Sequence, residues 1–306
     1  MNQWQGRVAV ITGAASGFGL EAARIAARAG MKIVMADVQA DALELSASDV
    51  RALGAAPGAE VLAFRLDVAK AVEVDALAAA TRETFGAPHF VFNNAGVGAG
   101  GLVWEQDAAD WDWVLGVNLF GVAHGVRAFT PMMLAAAAAD PAYVGHIANT
   151  ASMAGLVSMP NMGVYNASKA AVVSLTETLF HDLSLITTQV HAHLLCPFFV
   201  PTGIHRSERN RPGGPAAPAT RSQQIAAAMS EKAVTRGKVT AAQVAQRVFD
   251  AMVERRFYVY SHPQALGSVK TRLEDQVTAR NPTDPFHDRP EIGERLRAQL
   301  AGQHGA

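Results

Sequence analysis

The sequence predicts an α/β protein, a doubly wound parallel sheet of about seven strands with helices on both faces in three layers. Three observations carry that prediction. Short, continuously apolar runs of strand length alternate with longer helical segments, the pattern of a parallel sheet buried on both sides. The first run is followed at once by a glycine-rich turn that opens a helix, Thr12-Gly-Ala-Ala-Ser-Gly-Phe-Gly19. Half of the 306 residues are hydrophobic and only 17% are charged, so the chain can bury a large core.

Val8–Thr12 is apolar and bounded by glycine, and reads as a buried strand. Glu21–Ala29 is alanine-rich at helical spacing and stops at Gly30, a suitable residue just past a helix end. Lys32–Ala36 is the next strand and ends at Asp37. The rhythm then repeats: strand Val61–Leu66, helix Val72–Phe85, strand Phe90–Phe92, long helix Trp111–Ala135, strand Val144–Ala148 and long helix Val164–Leu185. Strand His191–Cys196, helix Val239–Arg255 and strand Phe257–Tyr260 complete it. Two segments break the pattern. His205–Thr220 contains Arg-Pro-Gly-Gly-Pro-Ala-Ala-Pro and reads as a long loop of the kind that forms a lid. After Pro263 come an amphipathic stretch, Leu266–Ala279, an Asn-Pro-Thr-Asp-Pro turn and a last short helix. The expected organisation is one catalytic domain, residues 1–262, with a lid at about 203–235, and a helical extension, 263–306, packed on the same domain.

Bulk properties exclude several classes. The net charge of −1 offers no basic surface for nucleic acid or an anionic membrane. Cys196 is the single cysteine, so no internal disulfide forms, in keeping with a reducing compartment. The N-terminus lacks the basic-then-apolar order of a secretory signal. No apolar stretch is expected to reach the ~18–20 residues that span a bilayer. The expectation is a soluble cytoplasmic protein.

The glycine loop follows a strand and opens a helix. Its glycines let the backbone turn tightly and let a phosphate approach the amides, where the free N–H groups and the helix dipole favour an anion. Asp37 closes the second strand about 20 residues further on, where a carboxylate accepts hydrogen bonds from the adenosine ribose hydroxyls and repels a 2′-phosphate. No Arg or Lys lies within Gly13–Gly19, and Val38 follows Asp37. NAD(H) is therefore expected over NADP(H), against the simpler reading of Asp37 as a cap for the next helix.

Tyr165 and Lys169 share a helix face at i, i+4. A phenol titrates near ~10 when unperturbed; a neighbouring ammonium favours its charged form and makes it a usable base. With the glycine loop, Asn93-Asn-Ala-Gly96, Asn118 and Ser152 in order upstream, the chain resembles the short-chain dehydrogenase/reductase family in its short, single-domain branch, over about Arg7 to Ser261.

The resemblance implies a Rossmann-type fold and roles at matching positions. Tyr165 is the general base in alcohol oxidation and the acid in ketone reduction. Lys169 lowers the Tyr165 pKa and holds the nicotinamide ribose. Ser152 hydrogen-bonds the substrate oxygen, with Ser158 as the runner-up and Ser168 packing near the cofactor. Asn118 helps hold a water in the proton relay. Gly13, Ser16, Gly17, Phe18, Gly19, Asp37 and Val38 are the implied cofactor contacts in the first half of the fold. Asp67 and Val68 are placed by the adenine, and Asn94, Ala95 and Gly96 support the cofactor. Pro197, Phe198, Val200 and Thr202 follow, with Thr202 at the nicotinamide carboxamide. Phe198 stands where the family commonly has glycine, which adds bulk and leaves Thr202 a less direct assignment.

Other residues divide between function and packing. Met153, Met159 and Met162 lie between Ser152 and Tyr165 and read either as core or as an adaptable apolar wall of the substrate pocket, to which Phe198 and Phe199 also contribute. His205, Arg206 and Arg209 are the lid groups able to anchor an anion, or simply a solvated face. His191 and His193 share a strand face without a carboxylate or thiol partner, and no metal is expected. Cys196 reads as a small apolar residue. The expected substrate is a secondary alcohol or ketone with a hydrophobic or aromatic group. The alternatives are an NADP-dependent carbonyl reductase, an epimerase or dehydratase, and a catalytically inactive dinucleotide-binding regulator. By resemblance, the two long helices are expected to build a homodimer or homotetramer.

Overall fold

The computed structural model describes residues 3–54, 59–214 and 217–301. Part of the expected lid (residues 215–216) and the end of the expected extension (residues 302–306) lie outside the described residues. The elements in order are β1 (Val8–Thr12), α1 (Gly17–Arg28), β2 (Lys32–Asp37), α2 (Ala40–Leu53), β3 (Val61–Arg65), α3 (Ala71–Phe85) and β4 (Phe90–Asn93). Then come α4 (Ala108–Leu115), α5 (Gly121–Ala139), β5 (Gly145–Thr150), α6 (Met153–Leu156), α7 (Gly163–Ile186) and β6 (Val190–Cys196). The chain continues through α8 (Arg221–Thr235), α9 (Ala241–Glu254), β7 (Tyr258–Tyr260), α10 (Gly267–Val277) and α11 (Pro290–Ala301).

All seven strands pair in parallel in the order β3-β2-β1-β4-β5-β6-β7. The order reverses between β1 and β4, and there the crevice outside the carboxyl ends of the strands can take a ligand. Successive strand residues feed opposite faces. Ala9, Ile11, Ile33, Met35, Phe90 and Phe92 pack with α1, α2 and α9 on one side. Val10, Val34, Val91 and Ile147 pack with α3, α5 and α7 on the other. The central strands are mostly apolar because both faces are covered.

Two local features depart from the sequence reading. The expected helix Trp111–Ala135 is two helices joined by a π-helical turn, Gly116–Phe120, with Asn118 buried inside it. Ala108–Ala139 taken together is long and apolar enough to cross a membrane, which corrects the expectation that no segment is. Here it is a wall of the domain, and an ion pair at 2.6 Å between Arg127 and Asp75 ties it to α3. Second, the lid region is more regular than a loop: Ile204–Asn210 is a 3₁₀ turn and α8 follows, opened by a capping box in which Thr220 and Gln223 satisfy each other's amides. The tail, by contrast, lies against the domain as expected, with Arg272 donating to the Leu156 carbonyl at 3.2 Å.

Candidate active site

The crevice at the switch point is a cleft of about 890 Å³. Gly13, Ser16, Gly17 and Phe18 form its floor. Gly13 and Gly17 hold φ of +65° and +54°, a left-handed backbone that suits glycine. A Cβ on Gly13 would sit 2.9 Å from the Ala95 Cα, so the turn is tight because the β4 loop crosses it. Thr12 makes that crossing exact in register: its hydroxyl accepts from the amides of Asn94 at 2.9 Å and Ala95 at 3.1 Å. Asn94 Nδ2 donates back to the Thr12 carbonyl at 3.1 Å, and Thr150 donates to Asn94 Oδ1 at 3.2 Å. Three strand ends are thereby locked around the floor. α1 starts at Ser16 with no side-chain cap, so a ligand anion can take the place of a cap at its N-terminus.

At one end of the cleft stands Asp37, 8% exposed. Its Oδ2 accepts from the Ala15 amide and its Oδ1 from the Gln39 amide, each at 3.0 Å. The carboxylate thus braces the turn into α2 and also lines the cleft wall. Val38, Asp67 and Val68 line the same end, and Asp67 Oδ1 accepts from Ala69 N at 3.0 Å. These residues fit an adenosine ribose and base, and the glycine floor fits a diphosphate.

Tyr165, Lys169, Thr150 and Ala151 line the other end. Ser152 caps α6, its Oγ accepting from Ala154 N at 3.1 Å and reaching the Pro197 carbonyl at 3.4 Å. Burial pushes the Tyr165 phenol above its ordinary value, and a hydrogen bond with Ser152 pulls it back. Lys169 lies with Nζ 5.8 Å from the centre of the Tyr165 ring and donates to the Thr150 carbonyl at 2.9 Å. Burial holds Lys169 down to about 8. Asn118 Oδ1 accepts from Val97 N at 2.8 Å while its Nδ2 donates to the Val97 carbonyl at 3.0 Å and to Ser168 Oγ at 3.1 Å. Ser168 in turn donates to the Tyr165 carbonyl at 2.8 Å. The Asn118 side chain therefore pins the β4 loop to α7. Gly96 fits between them, since a Cβ there would lie 3.3 Å from Asn118 Oδ1 and 3.5 Å from Lys169 Nζ.

Several predicted positions fall elsewhere. Gly19 does not line the cleft; a Cβ on it would meet the Gly13 carbonyl oxygen at 2.2 Å, so it is there to let α1 press on the turn. Val200 is buried in the core beneath α1 and α9. Phe198 turns outward, 43% exposed, against Phe199 and His262, because its amide is held by Ser261 Oγ at 2.8 Å. It adds no bulk at the cleft, and Phe199 stays beside it. Met153 packs with Val122, Val172 and Leu194 in the core; Met159 and Met162 are half-buried, and Met162 bridges to Gly101. Pro197 and Thr202 do line the cleft, with the Thr202 methyl 3.4 Å from where a Gly17 Cβ would be. Of the lid cations, Arg209 reaches the Asp37 end: it donates from Nε to Gln39 Oε1 at 3.2 Å. The sequence reading did not name Thr12, Thr150, Arg65 or Arg209 among the cofactor contacts. Arg65 could have been found, since it ends the strand beside Asp37 and pairs with it in register.

Of the two strand histidines, His193 forms a buried pair with His146 of β5, while His191 is half-buried. His193 Nδ1 meets the Arg256 carbonyl at 2.8 Å and must donate, so its Nε2 accepts from His146 Nδ1 at 3.0 Å. Burial holds His193 at about 4 and His146 at about 2, both neutral. Burial also pushes Cys196 up to about 12, a thiol and not a nucleophile. Among the described residues, no group of three or more His, Cys, Asp or Glu side chains is set to hold a metal.

This geometry agrees with what the chain is similar to. A dehydrogenase/reductase of CLA biosynthesis from Lactiplantibacillus plantarum is 33% identical over 283 residues, 91% of this chain and 96% of that one. A C alpha-dehydrogenase from Sphingobium sp. is 38% identical over 178 residues, 58% of this chain and 55% of its own. The crystal structure of a short-chain dehydrogenase/reductase from Burkholderia phymatum in complex with NAD superposes with a TM-score of 0.88 at 53% identity, covering 93% of this chain and 99% of that one. The family profile described as short chain dehydrogenase matches residues 7–213. With the parallel sheet, the glycine floor and the Tyr165–Lys169 wall in place, the chain belongs to the short-chain dehydrogenase/reductase family of oxidoreductases.

Proposed function

We propose that this oxidoreductase interconverts a secondary alcohol and a ketone with NAD(H). The observation that carries the reading is that one cleft holds Asp37 at one end and the Ser152-bonded phenol of Tyr165 at the other. A bound nicotinamide supplies the hydride acceptor or donor. The chain's own residues handle the proton. In oxidation Tyr165 takes the alcohol proton at its phenol oxygen, and in reduction it returns it. Ser152 orients the substrate oxygen and favours the charged phenol. Lys169, held beside the ring by the Thr150 carbonyl, adds positive charge that favours the same form. Asn118 fixes Val97 and, through Ser168, the α7 turn that presents Tyr165.

A carboxylate held by two backbone amides at the adenosine end supports NAD, as does the NAD complex of the similar Burkholderia phymatum protein. Arg65 beside Asp37 favours a second reading, NADP-dependent carbonyl reduction. Val97, Val117, Ala151 and Ile204 line the cleft and suit an alcohol or carbonyl compound with a hydrophobic or aromatic group. Exposed Phe120, Leu185 and Ile186 at the ends of the long helices support a homodimer or homotetramer. The test is to follow reduced nicotinamide with a panel of secondary alcohols and both cofactors. A higher kcat/KM with NAD on apolar alcohols is expected. A preference for NADP, or activity only on small sugars, would sink the corresponding part.

A further inference from the structure

The segment that follows Thr202 crosses the mouth of the cleft and is fastened on both sides. Ser207, 4% exposed, accepts from Gly98 N at 2.8 Å. Arg211 pairs with Asp110 at 2.6 Å, with side chains 10% and 8% exposed, and lies 5.2 Å over the Trp113 ring. Its charge is therefore spent on α4. Arg209 is different. It lines the cleft with Gly13, Gly17, Asp37 and Gln39. Its Nη1 donates to the carbonyls of Gly203 at 2.9 Å and Arg206 at 2.7 Å, and its Nε donates to Gln39 Oε1 at 3.2 Å. All three are neutral acceptors. Asp37 and Arg206 act on its charge from a distance, and among the described residues no ion pair is formed with it. Gly203 lets the guanidinium lie close, since a Cβ there would stand 3.0 Å from Nη2.

Resting on the dinucleotide reading above, we propose that Arg209 is a cofactor-binding residue. Its guanidinium spans the cleft mouth from Gly203, next to the residue that abuts the glycine floor, to Gln39 beside Asp37. There it adds positive charge toward the diphosphate and, through Gln39, latches the strap behind the adenosine half. A guanidinium offers five donors in a planar fork, so bonds to Gly203, Arg206 and Gln39 leave capacity for phosphate oxygens. The outward edge is open to exchange, which suits a latch that must release.

The test compares Arg209→Gln, Arg209→Lys and Gln39→Ala with the unaltered chain. Dissociation constants are measured for NADH, ADP-ribose and adenosine, with the NADH dissociation rate by stopped flow. Arg209→Gln is expected to weaken NADH and ADP-ribose about tenfold, the size of one charge-assisted contact, to leave adenosine within twofold, and to speed NADH release. Arg209→Lys keeps the charge and recovers part of the loss. Gln39→Ala speeds release with a smaller change in affinity. NADH and ADP-ribose affinities in Arg209→Gln that match those of the unaltered chain overturn the proposal, and so does a weakening of adenosine as large as that of NADH, which would mean a disturbed fold. An unaltered chain that binds neither NADH nor ADP-ribose overturns the dinucleotide reading itself, a result distinct from failure of the Arg209 variants alone.

Discussion

Asp37 Oδ2 accepts a hydrogen bond from the amide of Ala15 at 3.0 Å, so the end of β2 and the glycine turn after β1 are one structural unit. The carboxylate is held in place before any ligand arrives. Asp37→Ala removes both amide partners' acceptor and the ribose acceptor together. It is expected to raise the KM for NAD by about tenfold or more and to cost about 1–3 kcal/mol of stability, since buried amides lose their partner. Steady-state kinetics with NAD and NADP, alongside a melting curve, check both parts. An unchanged KM for NAD would count against Asp37 as the ribose ligand.

Tyr165→Phe keeps the ring against Lys169 and removes the proton acceptor. Turnover should fall by about 10²–10⁴-fold, the usual reach of general acid–base catalysis, while NADH affinity stays within about twofold. Residual turnover above a tenth of the starting rate would remove Tyr165 from its role.

Gly19→Ala tests whether this glycine serves packing. The new Cβ would sit 2.2 Å from the Gly13 carbonyl, a backbone atom that cannot swing aside. The expected result is a loss of about 1–3 kcal/mol by overpacking, read by denaturant unfolding, with weaker dinucleotide binding because the floor must shift.

The His146–His193 pair predicts acid sensitivity. Burial depresses both, His193 to about 4 and His146 to about 2, from an ordinary 6.5. The unfolded chain therefore binds more protons than the folded one below pH about 6.5, and stability falls as pH drops from there toward the folded-state values. His193→Asn, which can keep a donor for the Arg256 carbonyl, should flatten the fall in unfolding free energy between about pH 6.5 and 4. Equal slopes for variant and parent would show that other groups control acid unfolding.

Asp110→Asn leaves the buried Arg211 guanidinium without its nearest carboxylate. Breaking one half of a buried pair costs about 3–5 kcal/mol at the site. Faster proteolysis near Arg211 and a higher KM for the alcohol are expected, with Tyr165 chemistry at saturating substrate little changed.

Much of this was legible from residue patterns because a parallel sheet simplifies the problem. Strand-length apolar runs set the fold class, and every strand delivers its carboxyl end to the same edge. The glycine turn, Asp37, Asn94, Ser152 and the Tyr165–Lys169 turn each follow a strand end or start a helix near it, so their meeting follows from their order. Local irregularity was less visible. The π turn around Asn118 has the same apolar periodicity as the helices on either side, and α8 is opened by a capping box inside a segment whose prolines and glycines suggest a loop.

The sequence by itself determined the family and the sheet, and it pointed to Tyr165 and Lys169, which the fold brings into the cleft, because these depend on local spacing and on chain order. The tertiary structure alone decided which way a side chain faces once the elements pack. It sent Phe198 outward, Val200 and Met153 into the core, and Gly19 to a helix contact. It also brought Arg209 to Gln39 and His193 to His146. Those pairings join residues far apart in the chain, and no periodicity of 2 or 3.6 residues encodes them.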